Sequence, residues 1–307
     1  MEYKKTLQEL TIKDNFMFGA VMSDENLCRD FLELVLGFKI HSVTVSKEKS
    51  IIYHPEYKGV RLDVVAEDEN RTHYNIEMQV RFMKNLGKRT RYYHSQIDMD
   101  LFTSGTEYDL LPDSYVIFVC DFDPFFRKKY CYTFNNMCKE DKELALQDGS
   151  HTIFLSTYGE NEDEVPRSLV KFLKYVKGDT DSDPTDYEDE FVSRVKEAVD
   201  KIKSSREMEE RYMLLKELIK EEREEAKAEG ISIGKAEGIS IGKSEGISIG
   251  KAEGKAEMLL EYLADLGTVP EEFKKKIMNE SDKAVLLSYL KKASKANSMD
   301  EFLKMIQ

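Results

Sequence analysis

Two stretches of alternating apolar and polar positions, separated by a short polar run, mark the first third of the chain. Arg61-Leu-Asp-Val-Val-Ala66 is rich in strand-forming residues, and Thr72-His-Tyr-Asn-Ile-Glu-Met-Gln-Val80 alternates polar with apolar side chains. Between them Glu67-Asp-Glu-Asn-Arg71 is a turn-forming run, so the three pieces predict a hairpin. With its loop centred on Asn70, paired positions sum to 140, which sets Asp63 opposite Glu77 and Arg61 opposite Gln79. Side chains on a strand repeat every second residue, so Glu77 and Gln79 share one face while Tyr74, Ile76, Met78 and Val80 cover the other.

Around the hairpin the pattern predicts a mixed α/β unit over residues 1–180. Asp24 caps a helix over residues 25–36, with Leu27, Phe31, Leu34 and Val35 on its apolar face and Gly37 at its end. Asp30 and Glu33 lie off that face, toward solvent or a neighbouring site. Residues 42–46 read as a strand and residues 88–103 as a helix. Tyr115-Val-Ile-Phe-Val-Cys120, following Pro112, has the length and apolar continuity of a buried central strand. Residues 130–134 and 152–156 extend the same sheet, and residues 167–176 form a helix. The Asp-rich segment 177–190, with Pro184, reads as a linker or exposed loop.

The C-terminal third is organised differently. Residues 190–226 read as one long charged helix. Lys227-Ala-Glu-Gly-Ile-Ser-Ile-Gly234 then recurs at 235–242 and, with Ser244 in place of Ala, at 243–250; Lys251-Ala-Glu-Gly254 begins a fourth copy. Eight residues at about 100° each overshoot two turns by about 80°, so no fixed apolar stripe forms. Seven glycines between Gly230 and Gly254 cost an isolated helix about 7 kcal/mol relative to alanine. A self-associating helix and a flexible spacer both fit residues 227–256, and the reading taken is an imperfect helix continuing from Lys220. Residues 257–266, 270–278, 283–293 and 299–306 read as short amphipathic helices of a small tail module (257–307), with Ser298-Met-Asp-Glu301 as a capping box.

Composition narrows the class. The chain has 307 residues, 41% hydrophobic and 34% charged, with a net charge of −13, which disfavours a protein that coats nucleic acid non-specifically. It shows no run of 18 apolar residues and no secretory signal, and Cys28, Cys120, Cys131 and Cys138 form no Cys-x-x-Cys pair. Buried, reduced thiols in a cytoplasmic protein are the expectation. Charge is nevertheless local: from Gln79 to Ile97 stand Arg81, Lys84, Lys88, Arg89 and Arg91 with no Asp or Glu.

Candidate chemistry follows from the hairpin. Directly opposed carboxylates destabilise a sheet, and a hard divalent cation such as Mg²⁺ converts that repulsion into coordination. A solvated acidic hairpin with no ligand has the same pattern. Basic residues and the aromatic pair Tyr92-Tyr93 beside the acids suit a phosphodiester backbone, or else an ordinary basic helix face.

Gly59-Val-Arg-Leu-Asp63, Asn75-Ile-Glu-Met-Gln79 and Arg89-Thr-Arg-Tyr-Tyr93 resemble the Rpn-type recombination-promoting nucleases, also described as transposases of the PD-(D/E)xK nuclease superfamily. Leu10-Thr-Ile-Lys-Asp-Asn-Phe-Met-Phe18 and Gly105-x-x-Tyr108-x-Leu110-x-Pro112 look like flanking elements, and the resemblance spans about residues 5–200. It implies a restriction-endonuclease-like α/β core with a central mixed sheet, and a metal-dependent DNA endonuclease linked to recombination or mobile elements. Asp63 and Glu77 would be the metal-binding acids for Mg²⁺, with Mn²⁺ able to substitute, and the backbone carbonyl of Met78 a further ligand. Gln79 stands where the superfamily usually has lysine; it can orient water but carries no charge. Leu62 precedes Asp63 where the superfamily motif has proline. Arg81, Lys88, Arg89, Arg91 and Tyr93 become DNA-backbone candidates, and Glu33 a candidate extra acid. DNA is the implied partner; the sequence offers no membrane span, and it leaves the oligomeric state open, a homodimer through the C-terminal helix and repeats being one that suits double-strand cutting. The rival reading is a weak or inactive nuclease fold, a DNA-binding or regulatory scaffold oligomerised by its repeats.

Overall fold

The structure, a computed structural model, describes residues 5–51, 60–101, 105, 107–178 and 188–306. The chain divides into two compact units, Met1–Lys216 and Glu217–Gln307.

The first unit is built on a six-stranded mixed sheet. In chain order its elements are α1 (Asn15–Met22), α2 (Glu25–Leu36), β1 (Val43–Ile51), β2 (Val60–Asp68), β3 (His73–Gln79), α3 (Leu86–Leu101), β4 (Ser114–Cys120), β5 (Cys131–Phe134), β6 (Ser150–Ser156), α4 (Arg167–Lys177) and α5 (Glu190–Ser204). The strand order is β1-β2-β3-β4-β6-β5, with the β3-β4 and β4-β6 pairs parallel and the β1-β2, β2-β3 and β5-β6 pairs antiparallel. Alternation decides which side chains face which layer. Ala66, Tyr74, Ile76, Met78, Ile117, Val119, Ile153 and Leu155 join the large core beneath α1, α2, α4 and α5. On the opposite face Val116, Phe118, Cys120 and Phe154 pack under α3 through Leu86, Tyr93 and Ile97. The apolar run 115–120 is accordingly a central strand, buried on both faces.

Local signals hold these elements where the sequence puts them. Asp24 accepts hydrogen bonds from the backbone of Asn26 and Leu27, worth about 1 kcal/mol to the helix start. Gly37 ends the same helix at φ 78°, a conformation that glycine adopts without strain. The β2–β3 hairpin has the expected register: Val64 pairs Ile76, Val65 Asn75, Ala66 Tyr74 and Glu67 His73. Arg71, at φ 66°, closes its turn. The side chains of Arg61 and Leu62 lie outside the described residues, as do residues 52–59 and the greater part of the acidic connector, 179–187.

Two readings of the middle of the chain are corrected. Residues 190–226 are not one charged helix: α5 stops at Ser204, Ser205 is extended at φ −86° and ψ 119°, and α6 (Arg206–Leu266) starts afresh. Neither does the first domain end near 180. Phe191, Val192, Val195 and Val199 of α5 and Tyr212 of α6 are buried in the large core, which carries the first unit to Lys216. All four cysteines are free thiols, Cys28 and Cys120 buried and Cys131 and Cys138 half-buried. No helix among the described residues is long and apolar enough to cross a membrane.

In the second unit the octad repeats are helical, neither strand nor spacer. The segment 257–266, expected as a separate helix, forms the last turns of α6. There Ala252, Ala256, Leu259 and Leu263 pack against α7 (Glu271–Met278), α8 (Lys283–Ala293) and α9 (Met299–Ile306) through Ile277, Leu286, Met299 and Phe302. The capping box at Ser298 is half formed. Ser298 Oγ accepts the Glu301 N–H at 3.3 Å, but the Glu301 carboxylate takes the N–H of Asn297 at 2.8 Å instead of that of Ser298.

Candidate active site

The β2–β3 ladder stops at Val64 and Ile76, and two carboxylates occupy the fork beyond it. The Asp63 N–H donates to Glu77 Oε1 at 3.2 Å, and the Met78 N–H donates to Asp63 Oδ2 at 3.2 Å. Side-chain oxygens thus take backbone donors that a continued ladder would have used, and the acids are held against the sheet by main chain. Asn75, next on the same face, donates from Nδ2 to Glu77 Oε1 at 3.3 Å. Asn75 Oδ1 is the buried side-chain polar atom left without a hydrogen-bond partner among the described residues.

Glu77 is fully buried, and this sets its electrostatics. Burial, followed by the negative charge of Asp63, pushes its carboxyl well above the usual glutamate range, while Arg89 pulls the other way. Arg89 reaches across from α3, donating through Nη2 to Glu77 Oε2 at 2.9 Å and through Nη1 to Gln79 Oε1 at 3.1 Å. Its guanidinium carbon lies 5.0 Å from the Tyr93 ring centroid and 5.8 Å from that of Phe118. Tyr93, one helical turn further on, accepts from Arg89 Nε and faces Glu77 at 3.5 Å. Helix α3 is pinned in this position by buried His94, whose ring nitrogens bond Ser114 Oγ at 2.8 Å and Thr152 Oγ1 at 3.2 Å. Burial, assisted by His151, lowers the His94 pKa to about 4 and keeps the ring neutral.

Asp63 is approached from the other layer. The Asn15 amide at the start of α1 lies 3.4 Å from both its carboxylate oxygens. A cavity of about 150 Å³ opens there, lined by Asn15, Gly19, Ser23, Asp63, Met208 and Arg211 among others. Gln79 donates from Nε2 to the Met78 carbonyl at 3.1 Å. Its own carbonyl accepts the Asp121 N–H at 2.9 Å, and Asp121 is paired with Lys13 at 2.7 Å.

The structure therefore gathers Asp63, Glu77, Met78 and Gln79, and adds Arg89 and Asn15. Arg89 was expected on the DNA backbone; it sits on the acids instead. Tyr93, expected there too, is buried. Arg81, Lys88 and Arg91 are exposed. Glu33 is engaged elsewhere: it accepts from Lys39 Nζ at 2.7 Å and from the Ile40 N–H at 2.9 Å, tying down the end of α2. Asn15 was missed as a site residue. The available signal was its place in the segment 10–18, beside Asp14.

The donor set fits a hard cation. Asp63, Glu77, the Met78 carbonyl and the Gln79 amide offer only oxygens, and an ion there would offset the repulsion that burial imposes on the acids. No group of three or more His, Cys, Asp or Glu side chains suited to a metal occurs among the described residues.

A mixed sheet with helices on both faces, and two acids in the fork of an antiparallel pair, defines a nuclease-type α/β domain. A family model described as PD-(D/E)XK nuclease family transposase matches residues 15–229, and the chain belongs to that family. No curated protein and no solved structure matches it significantly.

Proposed function

We propose that the chain is a metal-dependent endonuclease that hydrolyses DNA phosphodiesters, serving recombination or mobile elements in the cytoplasm. The observation that carries this reading is the fork itself. Two carboxylates, one of them fully buried, are fixed by backbone donors beside a cavity that reaches solvent, an arrangement that destabilises the free protein unless charge is supplied. The chemistry a divalent cation supplies in such a donor set is Lewis-acid polarisation of a phosphoryl oxygen and a lowered pKa for water. Asp63, Glu77 and the Met78 carbonyl would hold Mg²⁺, or Mn²⁺ in its place. Gln79 orients the attacking water with its amide. Arg89 brings the positive charge that a lysine at position 79 would carry, from a different element. One P–O bond to water forms as one P–O bond of the backbone breaks.

The test is nicking of supercoiled plasmid by the full chain in Mg²⁺ and in Mn²⁺, beside Asp63→Ala and Glu77→Ala. Cleavage by wild type that EDTA removes and both variants lack is the expected result. A well-folded wild type that cleaves in neither metal overturns the proposal in favour of a binding scaffold.

A further inference from the structure

Immediately beyond the site three phenylalanine rings gather at the surface. Phe82 follows Gln79 by three residues, and Phe122 follows Asp121, whose N–H is bonded to the Gln79 carbonyl. Ring centroids lie 5.5 Å apart for Phe82 and Phe122, and 5.4 Å apart for Phe82 and Phe126. Three extended residues span at most about 10 Å, so the cluster sits within that reach of Gln79. Phe122 is half-buried against the core beneath α3 and anchors the group, while Phe126 is 74% exposed and Phe82 44%.

The loop that carries Phe126 is built to present it. Asp123 Oδ1 accepts from the Phe125 N–H at 3.1 Å and from Tyr132 Oη at 2.7 Å, and Oδ2 accepts from the Lys128 N–H at 2.7 Å. Phe125 turns inward onto Tyr132, Phe134 and Phe154. Phe126 turns outward with φ at +56°, and Lys128 lies at +57°, conformations that side-chain-bearing residues adopt only when their surroundings impose them. A large apolar ring held at the surface by a strained, well-bonded loop is presented to an apolar partner.

The surrounding charge selects that partner. Arg81, Lys84 and Arg127 are exposed around the rings and enter no ion pair among the described residues. The neighbouring acids are already engaged: Asp121 by Lys13, Asp123 by its loop, and Glu160 by Lys128. Aromatic faces within a basic rim are the recognition chemistry of unpaired bases: rings stack on bases of any sequence while cations follow the phosphates. Duplex DNA, its bases already stacked, offers the rings nothing.

We infer that Phe82, Phe122 and Phe126 form a stacking platform for unpaired bases next to the bond being cut, so that the substrate is DNA carrying a single-stranded stretch. The inference rests on the nuclease reading for its substrate, but binding tests it without cleavage. The chain has no tryptophan, so Phe126→Trp places a single reporter at the tip of the platform. In EDTA, with the full chain, a mixed-sequence strand of about 16 nucleotides should quench that tryptophan, and its duplex should not. Phe126→Ala should weaken single-strand binding, read by fluorescence anisotropy, about tenfold and leave duplex binding within about twofold. Phe126→Gly relieves the backbone strain, so it should lose the same binding while melting no lower than wild type, which separates recognition from folding. Tryptophan emission unmoved at saturating strand, equal losses for strand and duplex, or no single-strand binding by wild type would each overturn the platform. Plasmid nicking run in parallel judges the nuclease reading on its own: stacking without cleavage leaves the platform and removes the enzyme, and cleavage without stacking does the reverse.

Discussion

Arg89 and Glu77, twelve residues apart in sequence, one on the helix packed over the sheet and one on the sheet itself, meet at 2.9 Å, and the same guanidinium holds Gln79 at 3.1 Å. One cation therefore balances a buried acid and orients the amide that replaces the superfamily's lysine. Removing it should expose the imbalance. Arg89→Ala should destabilise the metal-free protein by about 3 kcal/mol, the low end for breaking a buried pair because the arginine is partly solvated. Urea melts in EDTA would check this, and the loss should shrink as pH falls through the raised pKa of Glu77, where its carboxyl takes up a proton.

The direction of that pH effect follows from Glu77 itself. Its folded pKa is raised above the ordinary value of 4.5, so its contribution to stability is fully present below that value and is lost as pH rises through the folded one. Glu77→Gln removes the slope. In EDTA the variant should gain stability relative to wild type as pH rises from the ordinary glutamate value upward. Divalent cations should stabilise wild type increasingly over the same range, because binding them releases the proton. Thermal melts across pH, with and without Mg²⁺, measure both; a wild type and variant that run parallel would refute the assignment.

Gln79 invites the substitution that restores the superfamily lysine, and from sequence alone Gln79→Lys should raise activity if the chemistry is merely weak. The structure changes that expectation. A lysine there would face the Arg89 guanidinium that now donates to Gln79 Oε1, two cations in contact. Gln79→Lys alone should therefore leave nicking at or below wild type, whereas Gln79→Lys with Arg89→Met should exceed Arg89→Met by about tenfold. Four rates complete the cycle, and additivity would show that the two residues do not share a role.

Asn15 predicts a different loss. Its amide touches both Asp63 oxygens and no other group in the fork, so it orients a ligand without supplying charge. Asn15→Ala should raise the Mg²⁺ concentration needed for half-maximal nicking by about tenfold, with little change in the saturated rate. A titration of nicking against Mg²⁺ distinguishes this from loss of chemistry, in which the plateau falls and the midpoint stays.

The hairpin register was legible because a polar turn and strict alternation leave little freedom: a one-residue slip would have turned Ile76 and Met78 out of the core. Helices α8 and α9 were legible to the residue, since Asp282 and Ser298 cap them. What escaped was decided by packing between distant elements. Nothing within residues 79–97 says that Arg89 faces Glu77 while Lys88 and Arg91 face solvent; that depends on how His94 and Ile97 seat α3 on the sheet. Ser205 breaks the helix where only polar residues mark the place, and the apolar positions of α5 gained their meaning from a core formed by α2 and α4.

The repeats were read correctly as helix against their own propensity, and that conflict is testable. A Cβ added at any glycine from Gly230 to Gly254 meets nothing within 4 Å, so these glycines serve no packing within the described chain. Ile231, Ile233, Ile239, Ile241, Ile247 and Ile249 are each at least half exposed. Replacing Gly234, Gly238, Gly242 and Gly246 by alanine should stabilise the helix by about 1 kcal/mol per site, visible as higher helicity by circular dichroism. If a homodimer forms through this segment, small residues let a partner backbone approach closely. The same substitutions should then lower the mass measured by sedimentation even as helicity rises. A helix that gains stability and keeps its mass would leave the glycines without a role in association and move the search for a dimer contact away from the repeats.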